Sequence, residues 1–327
     1  MYKISSGEES TLPDRGEIRL QGVAFSPDSK RLATAGSDER IRVWDSGSGR
    51  NLLNILSGDH GSIDVLAFSQ DGKMLVSGSE DGTAKIFDAT SGSEMWTLPR
   101  DDRILCAAFS HDSDRLIVGR YCRGSNEAAT ATVWDVSSKK PQGTLVRGDS
   151  VFGVSFSPDG RRAVTMSSEE GKGWDLASPA ESLTLSVSGG STRRGIAYSP
   201  DGKRIATETQ VWDDKGKPLF SIPSTGPGPI DVVQLAFSPD SKRLATVDGT
   251  FAKVWDLASQ EEPLMLDNTT KVTSLTFTTD GKFLLTISDD WTMRFHSLEI
   301  QDLMAIAHKR VPRELSAEER QKHLHTK

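Results

Sequence analysis

The chain has 327 residues, a formal net charge of −7, a pI near 5.5, 35% hydrophobic residues, 29 Gly and two Cys. An acidic chain without a Lys/Arg block is a poor binder of a phosphate backbone, so nucleic acid is excluded as the expected partner. No apolar run reaches the roughly 18 residues of a membrane helix, and Cys106 and Cys122 lack Cys-x-x-Cys spacing. Membrane partners are therefore not expected, and a reducing cytoplasm is the expected location.

The chain opens inside a pattern that later recurs. Residues 2–7, YKISSG, echo the end of a strand and its following loop at 84–92, AKIFDATSG. Residues 8–13, EESTLP, align with EMWTLP at 94–99 and are expected to supply an outer strand to the last repeat, joining the two ends of the chain. An apolar or small run ending in an aromatic then appears seven times, at Phe25, Phe68, Phe109, Phe156, Tyr198, Phe237 and Phe277, with a mean spacing of 42 residues. A period in the forties predicts stacked four-stranded sheets.

Each anchor is followed by a turn such as Ser26-Pro27-Asp28-Ser29 or Ser157-Pro158-Asp159-Gly160, with Ser, Pro and Gly in type I positions. Copies two, three and seven replace the Pro by Gln70, His111 and Thr279 but keep Asp71, Asp112 and Asp280. In the first copy RLATAG (31–36), IRVW (41–44) and LLNIL (52–56) are the expected second, third and fourth strands. Third strands end in Val43-Trp44-Asp45, Val133-Trp134-Asp135, Gly173-Trp174-Asp175, Val211-Trp212-Asp213 and Val254-Trp255-Asp256, with Phe87-Asp88 and Phe295-His296 in the two other copies. Copy three carries an insertion over Gly119–Thr130, and copy five is five residues short at the same place.

After Leu298 the two-residue alternation gives way to helical spacing at Ile300, Leu303, Met304 and Ile306-Ala307. Pro312 interrupts it, and Ser316-Ala317-Glu318-Glu319 is a capping box for a second short helix. The expected organisation is one ring domain over 1–299 and a helical tail over 300–327.

This pattern resembles the WD-repeat family of β-propellers over roughly residues 8–299. The resemblance implies an all-β, seven-bladed propeller with the fourth strand of each blade outermost, followed by a short C-terminal helical tail. It also implies a non-catalytic scaffold or sensor, a monomeric ring that binds a protein or peptide on the narrower top face. The tail is similar to one that follows propellers in some bacterial multidomain signalling proteins. This implies that the chain is the C-terminal part of such a regulator. Family blades often carry a His, Ser/Thr, Asp and Trp hydrogen-bonded tetrad. Asp38, Asp81 and Asp289 stand six residues before Trp44, Phe87 and Phe295, but no blade spells the full set.

The top-face loops supply the candidate contacts: an acidic sector at Asp64 and Glu80, a basic one at Arg120, Arg123, Arg193 and Arg194, and Phe152 as an aromatic anchor between them. The alternative is a propeller enzyme, a lactonase or hydrolase, at the mouth of the channel. It needs converging His and carboxylate groups, and the six histidines are scattered over turns and tail. No cofactor, catalytic residue or metal site is expected. His323-x-His325 would point to two sides of a helix, and no set of four ligands accompanies it.

Overall fold

A computed structural model describes residues 9–11, 20–58, 60–122, 129–147, 149–167, 170–177, 180–186, 195–207, 209–223, 235–259, 263–268, 270–290 and 292–299. The tail at 300–327 lies outside the described residues, as does most of the chain before Leu20. Among the described residues no helix is long and apolar enough to cross a membrane.

Among the described residues twenty-eight strands form seven four-stranded antiparallel sheets. Blade one is Leu20–Phe25, Arg31–Gly36, Arg40–Asp45 and Asn51–Leu56, paired in chain order. Blades two to six repeat that order. Blade seven takes its outer strand from the start of the chain, with Glu9, Ser10 and Thr11 opposite Arg294, Met293 and Thr292. The architecture is the all-β, seven-bladed propeller that the repeat predicts.

One blade cannot bury both of its faces, so the core lies between blades. Leu20, Val23, Leu32 and Trp44 of blade one pack with Leu285, Ile287, Met293 and Phe295 of blade seven. Ala33, Ile41 and Val43, on the other face of blade one, pack with Ile63, Phe68, Leu75 and Phe87 of blade two. Seven such layers close the circle. Small residues on the innermost strands, such as Ala24, Ala67 and Ala108, leave room where the sheets converge.

The bottom of the ring is built from six Ser-x-Asp turns and one Thr-x-Asp turn, at Thr278. In each, the hydroxyl donates to the Asp two residues on, at 2.5–2.6 Å. These carboxyls lie below their ordinary value. The hydroxyl is the largest influence at Asp28, Asp112, Asp159 and Asp240; at Asp71, Asp201 and Asp280 burial opposes the hydrogen bonds and is outweighed. The fourth turn residue has positive φ in every blade: Gly72, Gly160, Gly202 and Gly281, but Ser29, Ser113 and Ser241.

The residue after the next is Arg in five blades, and it reaches the following blade. Arg31 donates to the Gly72 and Ala89 carbonyls, Arg115 to Gly160, Arg162 to Asp214, Arg204 to Ser241 and Arg243 to Gly281. Arg31, Arg115 and Arg162 also lie over Phe68, Phe156 and Tyr198. Blades two and seven have Met74 and Phe283 instead. At those two seams, and beside Arg204 at the seam of blades five and six, a serine with positive φ accepts a backbone N–H from the preceding blade. Asp71 donates to Ser113 Oγ at 3.3 Å, Thr279 to Ser29 Oγ at 3.1 Å and Asp201 to Ser241 Oγ at 3.0 Å.

Candidate functional site

The top rim differs most from this regular plan at the seam of blades two and three. Asp64 stands second in the inner strand Ile63–Phe68, and Glu80 follows the second strand Met74–Ser79. Arg103 stands just before the inner strand of blade three, Ile104–Phe109. Its Nη2 lies 2.6 Å from Asp64 Oδ2 and 2.9 Å from Glu80 Oε1, and its Nε donates to Asp64 Oδ2 at 3.0 Å. One guanidinium thus clamps both members of the expected acidic sector.

Asp64 Oδ1 is buried and finds no hydrogen-bond partner among the described residues. Burial raises the Asp64 carboxyl above its usual range, against the pull of Arg103. Beside it, burial works against ionisation of Asp81, but bonds from Thr83 and His60 and the charge of Arg100 bring it down to about 2. Gly82 fixes this corner. Its φ is +87°, and an added Cβ would lie 1.7 Å from the Asp101 carbonyl oxygen. The Asp101 N–H in turn donates to Gly82 O at 3.3 Å.

Arg120 ends the second strand of blade three and is only 5% exposed. Its Nη1 is 3.7 Å from Asp101, its Nη2 donates to Pro99 O at 3.4 Å, and its Nε has no partner among the described residues. It is therefore part of the wall of the rim. The next residue, Tyr121, is 44% exposed and donates its N–H to Arg103 O. Phe152 is half-buried where the chain enters blade four, and its N–H donates to Met166 O. Arg123, Arg193 and Arg194 lie outside the described residues. Arg100 and Arg103 were missed by sequence reasoning, although four successive charges at Arg100-Asp101-Asp102-Arg103 in one inter-blade loop were the available signal.

Blade three keeps strand pairing up to Arg120 and from Ala129 onward, so the insertion is narrower than 119–130. In blade five the second and third strands shrink to Arg204–Ala206 and Gln210–Asp213.

Blade seven corrects the sequence alignment by one residue. His296, not Phe295, pairs with Leu284, as Trp44 pairs with Leu32 in blade one. The equivalent of Asp81 is then Asp290, which accepts the Thr292 N–H at 3.0 Å, rather than Asp289. Trp44, Trp174 and Trp255 donate their indole N–H to Thr34, Thr165 and Thr246 at 2.8–3.0 Å. In blade seven Thr286 donates to Asn268 Oδ1 at 2.7 Å, which leaves its oxygen to accept from His296 Nε2 at 3.0 Å. The imidazole thus does the work of the indole. Burial lowers the His296 pKa to about 4, so the ring is neutral. Blades two and three each hold half of the pair. Ser77 Oγ faces Phe87, and Trp134 Nε1 has Val118 at the hydroxyl position; neither polar atom finds a partner among the described residues.

The Cys106 thiol donates to Val151 O at 3.3 Å, and burial pushes its pKa up, which removes thiolate reactivity. Among the described residues no three His, Cys, Asp or Glu side chains group to hold a metal.

Compared with protein families, four segments match the WD40 model (WD domain, G-beta repeat): residues 14–45, 50–88, 216–256 and 263–297. They cover most of blades one, two, six and seven. The stretch between them holds the insertion of blade three and the shortened blade five. A comparison with curated proteins finds no match.

Proposed function

We propose that this WD40-repeat propeller is a non-catalytic scaffold or sensor that binds a protein or peptide of mixed charge on its top face. On the same reading the chain is the C-terminal part of a bacterial signalling regulator, working in the cytoplasm. Nucleic acid and membranes are outside its partners. Propellers of WD40 repeats generally bind protein partners and are typically not enzymes.

The Arg103 clamp is the observation that favours the top face. On the bottom every turn carboxylate is used by its own turn. On the top one arginine serves two carboxylates, and Asp64 keeps an oxygen without a partner among the described residues. A lysine or arginine of a partner completes Asp64 and Glu80, and Arg103, so released, takes a partner carboxylate. This exchange keeps every buried charge paired. On this reading Asp64 and Glu80 supply the acidic contacts, Arg123, Arg193 and Arg194 the basic ones, and Phe152 an aromatic anchor between them. Arg120 shapes the wall between them.

Affinity capture from a native lysate tests this reading. Glu80→Ala and Arg194→Glu are each expected to lower recovery of the partner several-fold while the melting temperature stays unchanged. Equal recovery by both variants refutes the top-face assignment.

A further inference from the structure

The perimeter of a propeller is seven outer strands, each with one row of backbone groups unpaired by its own sheet. Such edges invite pairing with other chains and are usually protected by charge or proline. Six of the seven carry that protection: Glu9 in 9–11, Glu94 in 94–97, Lys140 and Pro141 in 140–147, Glu181 in 180–186, Pro218 in 218–221 and Asp267 in 264–267. The exception is Asn51–Leu56 of blade one, NLLNIL. It also carries the most exposed large apolar side chain among the described residues, Leu56 at 64%, with Leu52 at 37% on the same face.

We infer that this strand pairs antiparallel with the same strand of a second copy, about a two-fold axis at Asn54. Three observations fit a twin. First, Ser57 donates its N–H inward to Glu39 O. By the alternation of an antiparallel ladder, Asn54 and Leu56 then turn their N–H and C=O outward, available to a new strand. Second, Leu52, Asn54 and Leu56 share the exposed face. An axis at Asn54 sets each Leu52 against the Leu56 of the other copy, so apolar meets apolar, and brings Asn54, whose side-chain amide exchanges hydrogen bonds with Asn51 of its own strand at 3.0–3.3 Å, opposite its twin. A shift of the axis to Ile55 sets Asn54 against Leu56 and leaves Leu52 facing Gly58. Third, the segment has no charge, so bringing two copies together meets no repulsion across the axis.

The pair is an eight-stranded sheet shared by two rings. Its interface is one strand wide and so concentration-dependent. It replaces the single ring expected from sequence. Strands run from top to bottom, so the antiparallel contact directs the two top faces opposite ways, giving a bivalent particle. This inference does not depend on what the top face binds.

Sedimentation equilibrium of the full chain from micromolar to submillimolar concentration tests it. The average mass is expected to rise from 35.6 kDa towards twice that value. Asn54→Lys, which sets two ammonium groups face to face, is expected to hold the mass at one chain throughout with the melting temperature unchanged. Under mild oxidation the Asn54→Cys variant is expected to give a cross-linked pair on a non-reducing gel, and Met95→Cys on the outer strand of blade two is not. A single-chain mass for the unaltered protein at every concentration overturns the inference. So does pairing that survives Asn54→Lys, or pairing without the Asn54→Cys cross-link, since either puts the contact elsewhere.

Discussion

The two rims of this ring use the same kinds of residue in opposite ways. At the bottom seven turns spend each Asp on its own Ser or Thr, and five arginines tie one blade to the next through backbone carbonyls. At the top of blades two and three Arg103 is held by side chains, and Asp64 and Arg120 each keep a polar atom without a partner among the described residues. Backbone carbonyls are fixed partners that any sequence offers, so the bottom repeats faithfully. Side-chain partners can be exchanged, and the proposed binding on the top face uses that exchange.

The largest test of this contrast is Gly82→Ala. The methyl group would collide with the Asp101 carbonyl in a left-handed backbone conformation, so a loss of about 3 kcal/mol or more is expected, together with loss of partner capture. At Gly249, with nothing near the same methyl group, alanine is expected to cost only about 1 kcal/mol. Denaturant unfolding compares the two, and equal losses would mean that the top corner is as soft as an open turn.

A pH series probes the relay in blade seven. His296 has a folded pKa of about 4, below the ordinary 6.5. The unfolded chain therefore binds the proton more readily. Stability from this group is complete above pH 6.5 and falls as pH drops towards 4, by at most about 3 kcal/mol and less where solvent reaches the site. His296→Phe is expected to flatten that interval in melting curves taken from pH 7 to 4. The turn aspartates, with their lowered values, lose their contribution only below the ordinary carboxylate range, so the two effects separate along the pH axis.

The smallest effects lie in the seams. Arg115→Met copies the Met74 seam and is expected to cost about 1–2 kcal/mol through the lost carbonyl bond and the contact over Phe156. Ser113→Gly is expected to change stability by under about 1 kcal/mol. It relieves a positive φ of 64° and gives up the bond from Asp71, two terms of similar size. Thermal melts rank the two; a larger loss at Ser113 would make the hydroxyl, not the arginine, the stronger fastener.

Sequence reading found the bottom rim because its chemistry is local. Ser26, Asp28 and Arg31 interact within a few residues, and the strand RLATAG falls at Arg31–Gly36 as expected. The aromatic anchors and Trp-Asp ends located the blades for the same reason. Blade seven reads one residue out of register in the sequence because Phe295, the aromatic, neighbours the residue that holds the Trp position. Hydrogen-bond pairing places His296 there, and only the threonine three residues into the second strand hinted at it. The Arg103 clamp was not legible because Asp64 and Arg103 are 39 residues apart and meet only when blades stack. Bare charge suggested separate acidic and basic sectors; the fold neutralises the acidic one from within.

Blade seven also has a kinetic meaning. Its outer strand, Glu9–Thr11, pairs with residues 292–294, and the Thr279–Ser29 bond spans 250 residues of chain. Closing a loop of that length costs roughly 5 kcal/mol of chain entropy before any contact is returned. Blades one to six can each zip up from neighbours in sequence, whereas the seventh waits for the two ends to meet. Assembly of the ring is therefore expected to run through a horseshoe whose last gap closes slowly. In the finished ring the same topology makes the first breach the costliest to open and the quickest to spread.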